Sequence, residues 1–229
     1  MDFFDQTYPE GKAEYQDMLD KAVAGGRTDY AAWLLEEVGP TEDVLEVEEI
    51  NSKELDVVFA GRVCVKLGII VRRLIAGWGI EAGCGIEAGE GIKAGCGIKA
   101  DWGIEAGWGI KAGCGIEAGC GIEAGEGIKA GCGIEAGWGI EAGCGIEAGE
   151  GIKAGCGIKA GWGIEAGWGI EAGEGIKAGW GIEAGEGIKA GWEHGIYAGL
   201  RVKVTNREYR AIRAKNKPDN IMCGEWMEQ

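Results

Sequence analysis

The six-residue phrase Gly-X-Gly-Ile-(Glu/Lys)-Ala recurs nineteen times in succession from Gly77 to Ala190, with a single change at Asp101. A fixed short period over half of the 229 residues is typical of a solenoid, in which successive repeats stack on one another. Glycine does not fall at every third position, so a collagen triple helix is excluded. The Ile and Ala at fixed places supply core material, which argues against disorder. The repeat therefore predicts an ordered, mostly β, parallel solenoid.

Each phrase contains a short strand and a corner. The Ile and the Ala are two residues apart, with a Glu or Lys between them. Alternate side chains of a strand face opposite ways, so Ile and Ala are predicted to point inward and the charged residue outward. Gly-X-Gly then forms the corner, where we expect glycine to supply backbone angles that other residues resist. The X position holds Trp, Cys or Glu, which no single close-packed interior accepts, so X is placed on the outside.

Two coil sizes fit this repeat. A flat, two-sided coil takes two phrases per turn, which gives a period of 12, and a triangular β-helix takes three, which gives a period of 18. At a period of 12, the X residues form two columns, each made of residues 12 apart. All five Glu at X fall in one column and six of the seven Cys in the other. Outward Glu and Lys then mostly become neighbours, whereas a period of 18 stacks Lys93, Lys111 and Lys129, which is unfavourable.

An internal duplication supports the same choice. The segment 77–112 recurs as 137–172 with two differences. The offset is ten phrases, which equals whole coils if each coil has two phrases but not if each has three. The 12-residue coil is therefore the preferred prediction, and the triangular 18-residue coil is the alternative.

The flanking residues divide into separate units. Residues 1–43 are predicted to form an N-terminal helical cap of two amphipathic helices, the second with Thr28 as its N-cap. Residues 44–76 alternate as strands do and are predicted to form irregular first coils. The solenoid is predicted to span 77–204, and 205–229 a C-terminal cap or tail. Caps are expected because an open sheet edge otherwise pairs with another chain.

Charge and cysteine content narrow the classes of partner and compartment. The chain has 38 Asp and Glu against 23 Lys and Arg, a net charge of −15. This acidity disfavours direct binding to nucleic acid or to an anionic membrane and suits a protein partner with a basic surface. No apolar stretch is long enough for a membrane span, and the N-terminus lacks a signal-peptide pattern. We therefore expect a cytoplasmic protein whose nine cysteines are reduced.

No pattern indicates catalysis, so we expect no enzyme activity, no cofactor and no metal. His194, the single histidine, lies in the one interruption of the repeat. This arrangement resembles hexapeptide-repeat acyltransferases, whose catalytic His lies near a break in a β-helix, so an acyltransferase using His194 is kept as an alternative. No Cys-X-X-Cys or Cys/His pairing supports a soft-metal site. At a period of 12 one column nevertheless collects six thiols, those of Cys84, Cys96, Cys120, Cys132, Cys144 and Cys156.

Tryptophan at X is the most informative set for binding, because Trp is enriched at interaction hot spots. In a 12-residue coil, Trp168, Trp180 and Trp192 stack at one end of a column, with Trp108 further back. The pattern leaves open whether these rings are exposed or lie flat over neighbouring glycines. The predicted partner-binding residues are Trp168, Trp180, Trp192, Trp108, Glu174 and Glu186.

The repeat from Gly77 to Ala190, with the preceding Phe59-Ala60-Gly61, resembles Gly-rich hexapeptide-repeat β-solenoid proteins of phage and plasmid genomes. The resemblance implies a non-enzymatic protein-binding solenoid, such as an inhibitor of a bacterial defence system of the anti-CRISPR type. A protein-binding solenoid of this kind is compatible with a homodimer. The rival hypothesis is a structural solenoid that self-assembles end to end or side by side.

Overall fold

The computed structural model describes residues 12–191, 193–199 and 210–228. Two helices, α1 (Lys12–Ala24) and α2 (Thr28–Val38), come first, and short strands joined by bends follow. The strands pair in parallel, and residues that pair in the repeat are 18 apart, as are Ile110 and Ile128. The described chain is therefore a parallel β-solenoid with three phrases per turn, so the nineteen phrases make about six turns.

Each turn contributes a strand to each of three faces, named A, B and C. The strands of face A are Val44–Val47, Arg62–Val65, Ile80–Ala82, Ile98–Ala100, Ile116–Ala118, Ile134–Ala136, Ile152–Ala154, Ile170–Ala172 and Ile188–Lys189. Two long strands, Ile50–Phe59 and Ile69–Ala76, bend from face B into face C. Face B continues with Ile86–Ala88, Ile104–Ala106, Ile122–Ala124, Ile140–Ala142, Ile158–Ala160, Ile176–Ala178, Ile196–Tyr197 and Ile221–Cys223. Face C continues with Ile92–Ala94, Ile110–Ala112, Ile128–Ala130, Ile146–Ala148, Ile164–Ala166, Ile182–Ala184, Ala211–Ala214 and Glu225–Glu228.

The core is a stack of Ile and Ala from all three faces. From Ile80 to Ala184 each repeat Ile and Ala is at most 4% exposed, while the charged residue between them faces solvent. This confirms the predicted orientation within the phrase. Because every turn buries three Ile in the same way, the outward residues are free to vary without changing the core.

The preference for a 12-residue coil is wrong, and the 18-residue alternative is the observed one. Lys93, Lys111 and Lys129 do stack in register on face C. Such contacts between exposed like charges cost only tenths of a kcal/mol each, so they cannot outweigh the Ile packing and backbone hydrogen bonds of every coil. The internal duplication does not require a two-phrase turn either. Its offset of ten phrases equals three turns and one phrase, so the second copy is rotated onto the next face.

The corner glycines are required by close approach, not by the unusual backbone angles that were expected. A Cβ added to Gly131, the first glycine of its phrase, would lie 2.0 Å from the carbonyl oxygen of Gly113 in the preceding coil. A Cβ on Gly133, the second glycine, would lie 3.3 Å from the oxygen of Gly151. In the described ranges a positive φ occurs only at glycines outside the repeat corners, namely Gly26, Gly39, Gly199 and Gly224.

The two helices pack on the side of the solenoid. Their buried residues, including Tyr15, Leu19 and Leu34, cluster with Val58 and Ile75, which point outward from the first coils of face C. Gln16 fixes α1 to this face, since its amide donates to the Val58 carbonyl at 3.1 Å and accepts from the Ala60 N–H at 3.0 Å.

Thr28 is not the N-cap that the sequence suggests. Arg27 occupies that position without a side-chain cap, and the Thr28 hydroxyl donates instead to the carboxylate of Asp56. Asp56 is 6% exposed and also accepts from Arg72 Nε and from a terminal guanidinium nitrogen of Arg72, both at 2.6 Å. The Arg72 hydrogen bonds hold the pKa of Asp56 below its usual value. Helix α2 is thus attached to the first coils by a buried, charge-assisted contact.

The predicted divisions at 43/44 and 76/77 fall beside strands of the first coils, which begin at Val44. The division at 204/205 lies outside the described residues, and the fourfold domain division stays a prediction. Neither described helix has the length and apolar character needed to span a bilayer.

Candidate interaction surface

The X side chains form three edges where the faces meet. Edge AB carries Cys84, Trp102, Cys120, Trp138, Cys156 and Glu174. Edge BC carries Glu90, Trp108, Glu126, Cys144, Trp162 and Trp180. Edge CA carries Trp78, Cys96, Cys114, Cys132, Glu150, Trp168 and Glu186. Along each edge the N–H of one X residue donates to the carbonyl of the X residue 18 positions earlier, so the side chains stack in register.

The tryptophan rings are exposed, which answers the question that the sequence left open. Trp102, Trp138 and Trp168 are 64%, 65% and 63% exposed, and Trp78 and Trp180, the least exposed of the repeat tryptophans described, are each 41% exposed. The edges therefore present large apolar rings to solvent beside polar faces.

The predicted stack of three tryptophans does not form. Trp168 lies on edge CA, whereas Trp180 lies on edge BC, where its ring stacks on Trp162 at 5.5 Å between centroids and 8° between planes. Trp192 lies outside the described residues. The stack was a consequence of the 12-residue coil, and three phrases per turn separate its members.

The other three predicted partner-binding residues are also dispersed. Trp108 lies on edge BC, where the Arg73 guanidinium carbon is 5.9 Å from its ring centroid. Glu174 lies on edge AB and Glu186 on edge CA. The six residues therefore do not make one surface, and their role in binding stays a prediction.

The predicted cysteine column does not form either. Cys84 lies on edge AB and Cys96 on edge CA, so thiols two phrases apart are on different edges. The cysteines that do stack are Cys96, Cys114 and Cys132, in three consecutive coils of edge CA.

Face B carries a ladder of carboxylates. Its outward residues are, in successive coils, Glu87, Glu105, Glu123 and Glu141, paired in register. Neighbouring coils are about 4.8 Å apart, so four like charges lie in a line about 14 Å long. Such stacking destabilises the free protein by some tenths of a kcal/mol for each pair.

The middle of this acidic ladder lacks direct ion pairs in the described residues, although Lys53 also exerts a longer-range attraction on Glu105. Lys53 contacts Glu87 at 2.9 Å and Lys159 contacts Glu141, so both ends are paired. In the part of the chain that the structure describes, no lysine or arginine forms an ion pair with Glu105 or Glu123. The carboxylates without an ion-pair partner are thus in two adjacent coils.

The neighbouring faces distribute charge differently. On face A, Glu117 and Glu135 also stack, but Lys99 and Lys153 contact them at 3.2 and 3.5 Å. On face C, a lysine run gives way to a glutamate run, and Lys129 contacts Glu147 at the junction at 2.6 Å. Among the described residues, Glu165 on face C also makes no ion pair, since it lies between Glu147, which Lys129 contacts, and Glu183, which Arg213 contacts. Face B differs in having two adjacent glutamates, Glu105 and Glu123, without an ion-pair partner.

Exposed aromatic rings border the acidic ladder. Trp102 and Trp138 lie on edge AB, immediately before the strands that carry Glu105 and Glu141. They are two coils apart, about 10 Å, with the smaller Cys120 between them. The result is a shallow groove with carboxylates on its floor and two indole rings along one side.

His194 lies near the end of face B, in the bend before Ile196, and its ring is exposed. Its backbone is fixed, since its N–H donates to the Gly191 carbonyl at 2.8 Å and its carbonyl accepts from the Asn220 amide. Over the described ranges, no group of three or more His, Cys, Asp or Glu side chains is arranged to hold a metal ion.

Comparison with protein-family models, with curated proteins and with solved structures finds no match to this chain. Function is therefore inferred from the surface itself.

Sequence reasoning missed the acidic ladder, although a signal for it was present. Sorting the outward residues at a period of 18 places Glu87, Glu105, Glu123 and Glu141 in one column, while sorting them at 12 mixes them with lysines.

Proposed function

We propose that this chain is a non-enzymatic binding protein and that face B takes a basic segment or surface of another protein. The observation that carries the proposal is the in-register acidic ladder, unpaired at Glu105 and Glu123, beside Trp102 and Trp138. The chain's net charge of −15 adds a long-range attraction for basic partners.

The physical basis is electrostatic relief combined with aromatic contact. A lysine or arginine placed over the central carboxylates removes their mutual repulsion and gains a charge-assisted hydrogen bond. A cation against an exposed indole ring adds about 0.5–1 kcal/mol. Because the groove is open to solvent, salt screens these contacts, so binding should weaken as ionic strength rises.

The test is affinity capture from a bacterial lysate with matched variants. The pair E105Q/E123Q removes the unpaired charge from face B, and E117Q/E135Q removes the same charge from face A. We expect the face B pair to lose a captured protein that the wild type and the face A pair retain. Equal capture by both double variants, at low and at physiological salt, would exclude face B as the binding surface.

The contribution of the tryptophan rings to capture can be tested separately from that of the carboxylates. W102A/W138A removes the rings that border face B, whereas W78A/W168A removes two rings from edge CA, which does not adjoin face B. We expect only the first pair to weaken capture of the same protein. If both pairs weaken it equally, binding depends on general apolar exposure and not on the groove.

A narrower hypothesis, that the partner belongs to a bacterial defence system, rests on the sequence resemblance. Identifying the captured protein by mass spectrometry tests it. The self-assembly alternative predicts concentration-dependent growth in light scattering. The acyltransferase alternative predicts turnover that H194A abolishes.

A further inference from the structure

The cysteine stack on edge CA is separate from face B and has no part in the proposed function. Cys96, Cys114 and Cys132 occupy consecutive coils, and the sulfur atoms of Cys96 and Cys114 are 3.1 Å apart. The other repeat cysteines are isolated on their edges. Cys144, for example, lies between Glu126 and Trp162.

The backbone holds these thiols in register. The Cys114 N–H donates to the Cys96 carbonyl at 3.0 Å, and the Cys132 N–H donates to the Cys114 carbonyl at 3.1 Å. The coil rise of about 4.8 Å therefore sets the separation of the Cα atoms. Parallel Cα–Cβ bonds keep the Cβ atoms at about the same distance.

This spacing decides between two uses of a thiol pair. A disulfide needs Cβ atoms about 3.8 Å apart, which the coil rise does not supply without movement of the backbone. A metal ion with bonds to sulfur of about 2.3 Å bridges sulfurs up to about 4.6 Å apart. That span lies between the present sulfur contact and the coil rise, so side-chain rotation alone can accommodate the ion.

We infer that Cys96 and Cys114 form a two-coordinate site for a soft monovalent ion of the Cu(I) class. Thiolates select Cu(I) over harder ions, and two ligands in line suit an ion that does not need a larger ligand set. Cys132, in the next coil, is not required as a ligand, because the two thiols already in contact supply both.

Binding exchanges protons for the ion and involves no redox step. Two thiols and one Cu(I) give a bis-thiolate complex and two released protons. Because thiol ligands must lose their protons to bind the ion, affinity should rise with pH.

The experiment titrates Cu(I) into the full, reduced chain under anaerobic conditions, in competition with a chromophoric Cu(I) chelator. Loss of the chelator's absorbance reports the first equivalent transferred to the protein. Cys114→Ser removes one of the two thiol ligands. We expect the variant's apparent affinity for the first ion to fall by more than about 100-fold. The matched control is Cys144→Ser, an isolated thiol, which should leave that affinity unchanged.

A third variant and a check of folding complete the test. Cys132→Ser should retain the first ion, because it leaves the contacting pair intact, and circular dichroism should show that every variant keeps its sheet content. Equal affinity in the Cys114→Ser and Cys144→Ser proteins would overturn the site. So would mass spectra in which the Cys96–Cys114 pair loses two hydrogens in air while the reduced wild type takes up no copper.

Discussion

The two glycines of each phrase differ in what surrounds them. A Cβ at most first glycines, such as Gly131, would lie about 2.0 Å from a carbonyl oxygen of the preceding coil, whereas a Cβ at most second glycines, such as Gly133, would make a tight but milder contact of 3.3 Å with an oxygen of the following coil. This asymmetry was invisible in the sequence, where both positions are invariant apart from Asp101. The high glycine content of the repeat therefore reflects the close packing of neighbouring coils.

The first prediction at this scale compares the two positions within one phrase. Gly131→Ala should lower the free energy of unfolding by about 2–3 kcal/mol, because the new methyl group forces neighbouring coils apart. Gly133→Ala should change it by less than about 1 kcal/mol in either direction, since backbone entropy offsets a milder contact. Denaturant unfolding of both variants measures the difference. Equal losses would contradict the close-approach argument.

A second prediction concerns Asp101, which replaces a first glycine. Its N–H lies 3.2 Å from the Ala82 oxygen and the Trp102 N–H lies 3.3 Å from the Cys84 oxygen. At Gly161, the matching position of the duplicated segment, the corresponding distances are 2.9 and 3.0 Å. The distances alone do not distinguish this corner, since Trp138 and Glu150, which follow glycines, also donate at 3.2 Å. The strain is expected because a Cβ at a first position, as at Gly131, meets a backbone oxygen of the preceding coil at about 2.0 Å.

Asp101→Gly should therefore raise the thermal midpoint, and the reciprocal change Gly161→Asp should lower it, each by an amount equivalent to about 1–3 kcal/mol. Calorimetry of the two variants measures the shifts. A destabilised Asp101→Gly protein would show that the aspartate contributes a contact that outweighs the strain.

At the scale of elements, the sequence predicted the strands and helices that depend on local sequence patterns. The strand Arg62–Val65 and the two helices, which end just before glycines, follow from alternation, amphipathic spacing and helix-stop residues. The attachment of α2 did not follow, because Thr28 matches an N-cap pattern while its hydroxyl finds Asp56, 28 residues away. A side chain's long-range partner is set by the packed fold, which a local pattern does not contain.

The third prediction concerns this attachment and its pH dependence. The Arg72 hydrogen bonds hold the pKa of Asp56 lower in the folded protein than in the unfolded chain, so protonation favours unfolding of the first coils on which the helices dock. Its stabilisation should be complete above the unfolded pKa of about 4 and should be lost as the pH falls further. Asp56→Asn should cost about 1–3 kcal/mol at neutral pH and should remove this acid-dependent part.

Limited proteolysis of α1 and α2 across pH 2–7 distinguishes the two proteins. The wild-type helices should become cleavable as the pH falls, whereas in Asp56→Asn they should already be cleavable at neutral pH. Identical pH profiles would show that Asp56 does not hold the helices in place.

At the scale of the whole molecule, the solenoid could be predicted and its turn could not. The phrase fixes which residues point inward, but two or three phrases per turn bury Ile and Ala equally well. Exposed charges such as Lys93 and Lys111 favour two phrases per turn, but their interactions are too weak to control the coil. Every error about the site followed from the two-phrase prediction, including the misplaced Trp168 and the missed acidic ladder.

The three-phrase turn also determines what the molecule presents to others. It collects the unpaired glutamates on face B, distributes the tryptophans over three edges and brings Cys96 against Cys114. A two-phrase turn would instead separate the stacked glutamates and the Cys96–Cys114 pair and would gather the tryptophans into two columns. The proposed binding surface and the thiol pair therefore both depend on the size of the coil.

The most direct measurement is thiol cross-linking in two variants that each keep one cysteine pair and have the other cysteines replaced by serine. One keeps Cys96 and Cys114, which are three phrases apart, and the other keeps Cys84 and Cys96, which are two phrases apart. With a bifunctional thiol reagent that spans roughly 5 Å, about the coil rise, we predict an intramolecular cross-link in the first variant only. Efficient intramolecular cross-linking of Cys84 to Cys96, with none between Cys96 and Cys114, would contradict the three-phrase turn.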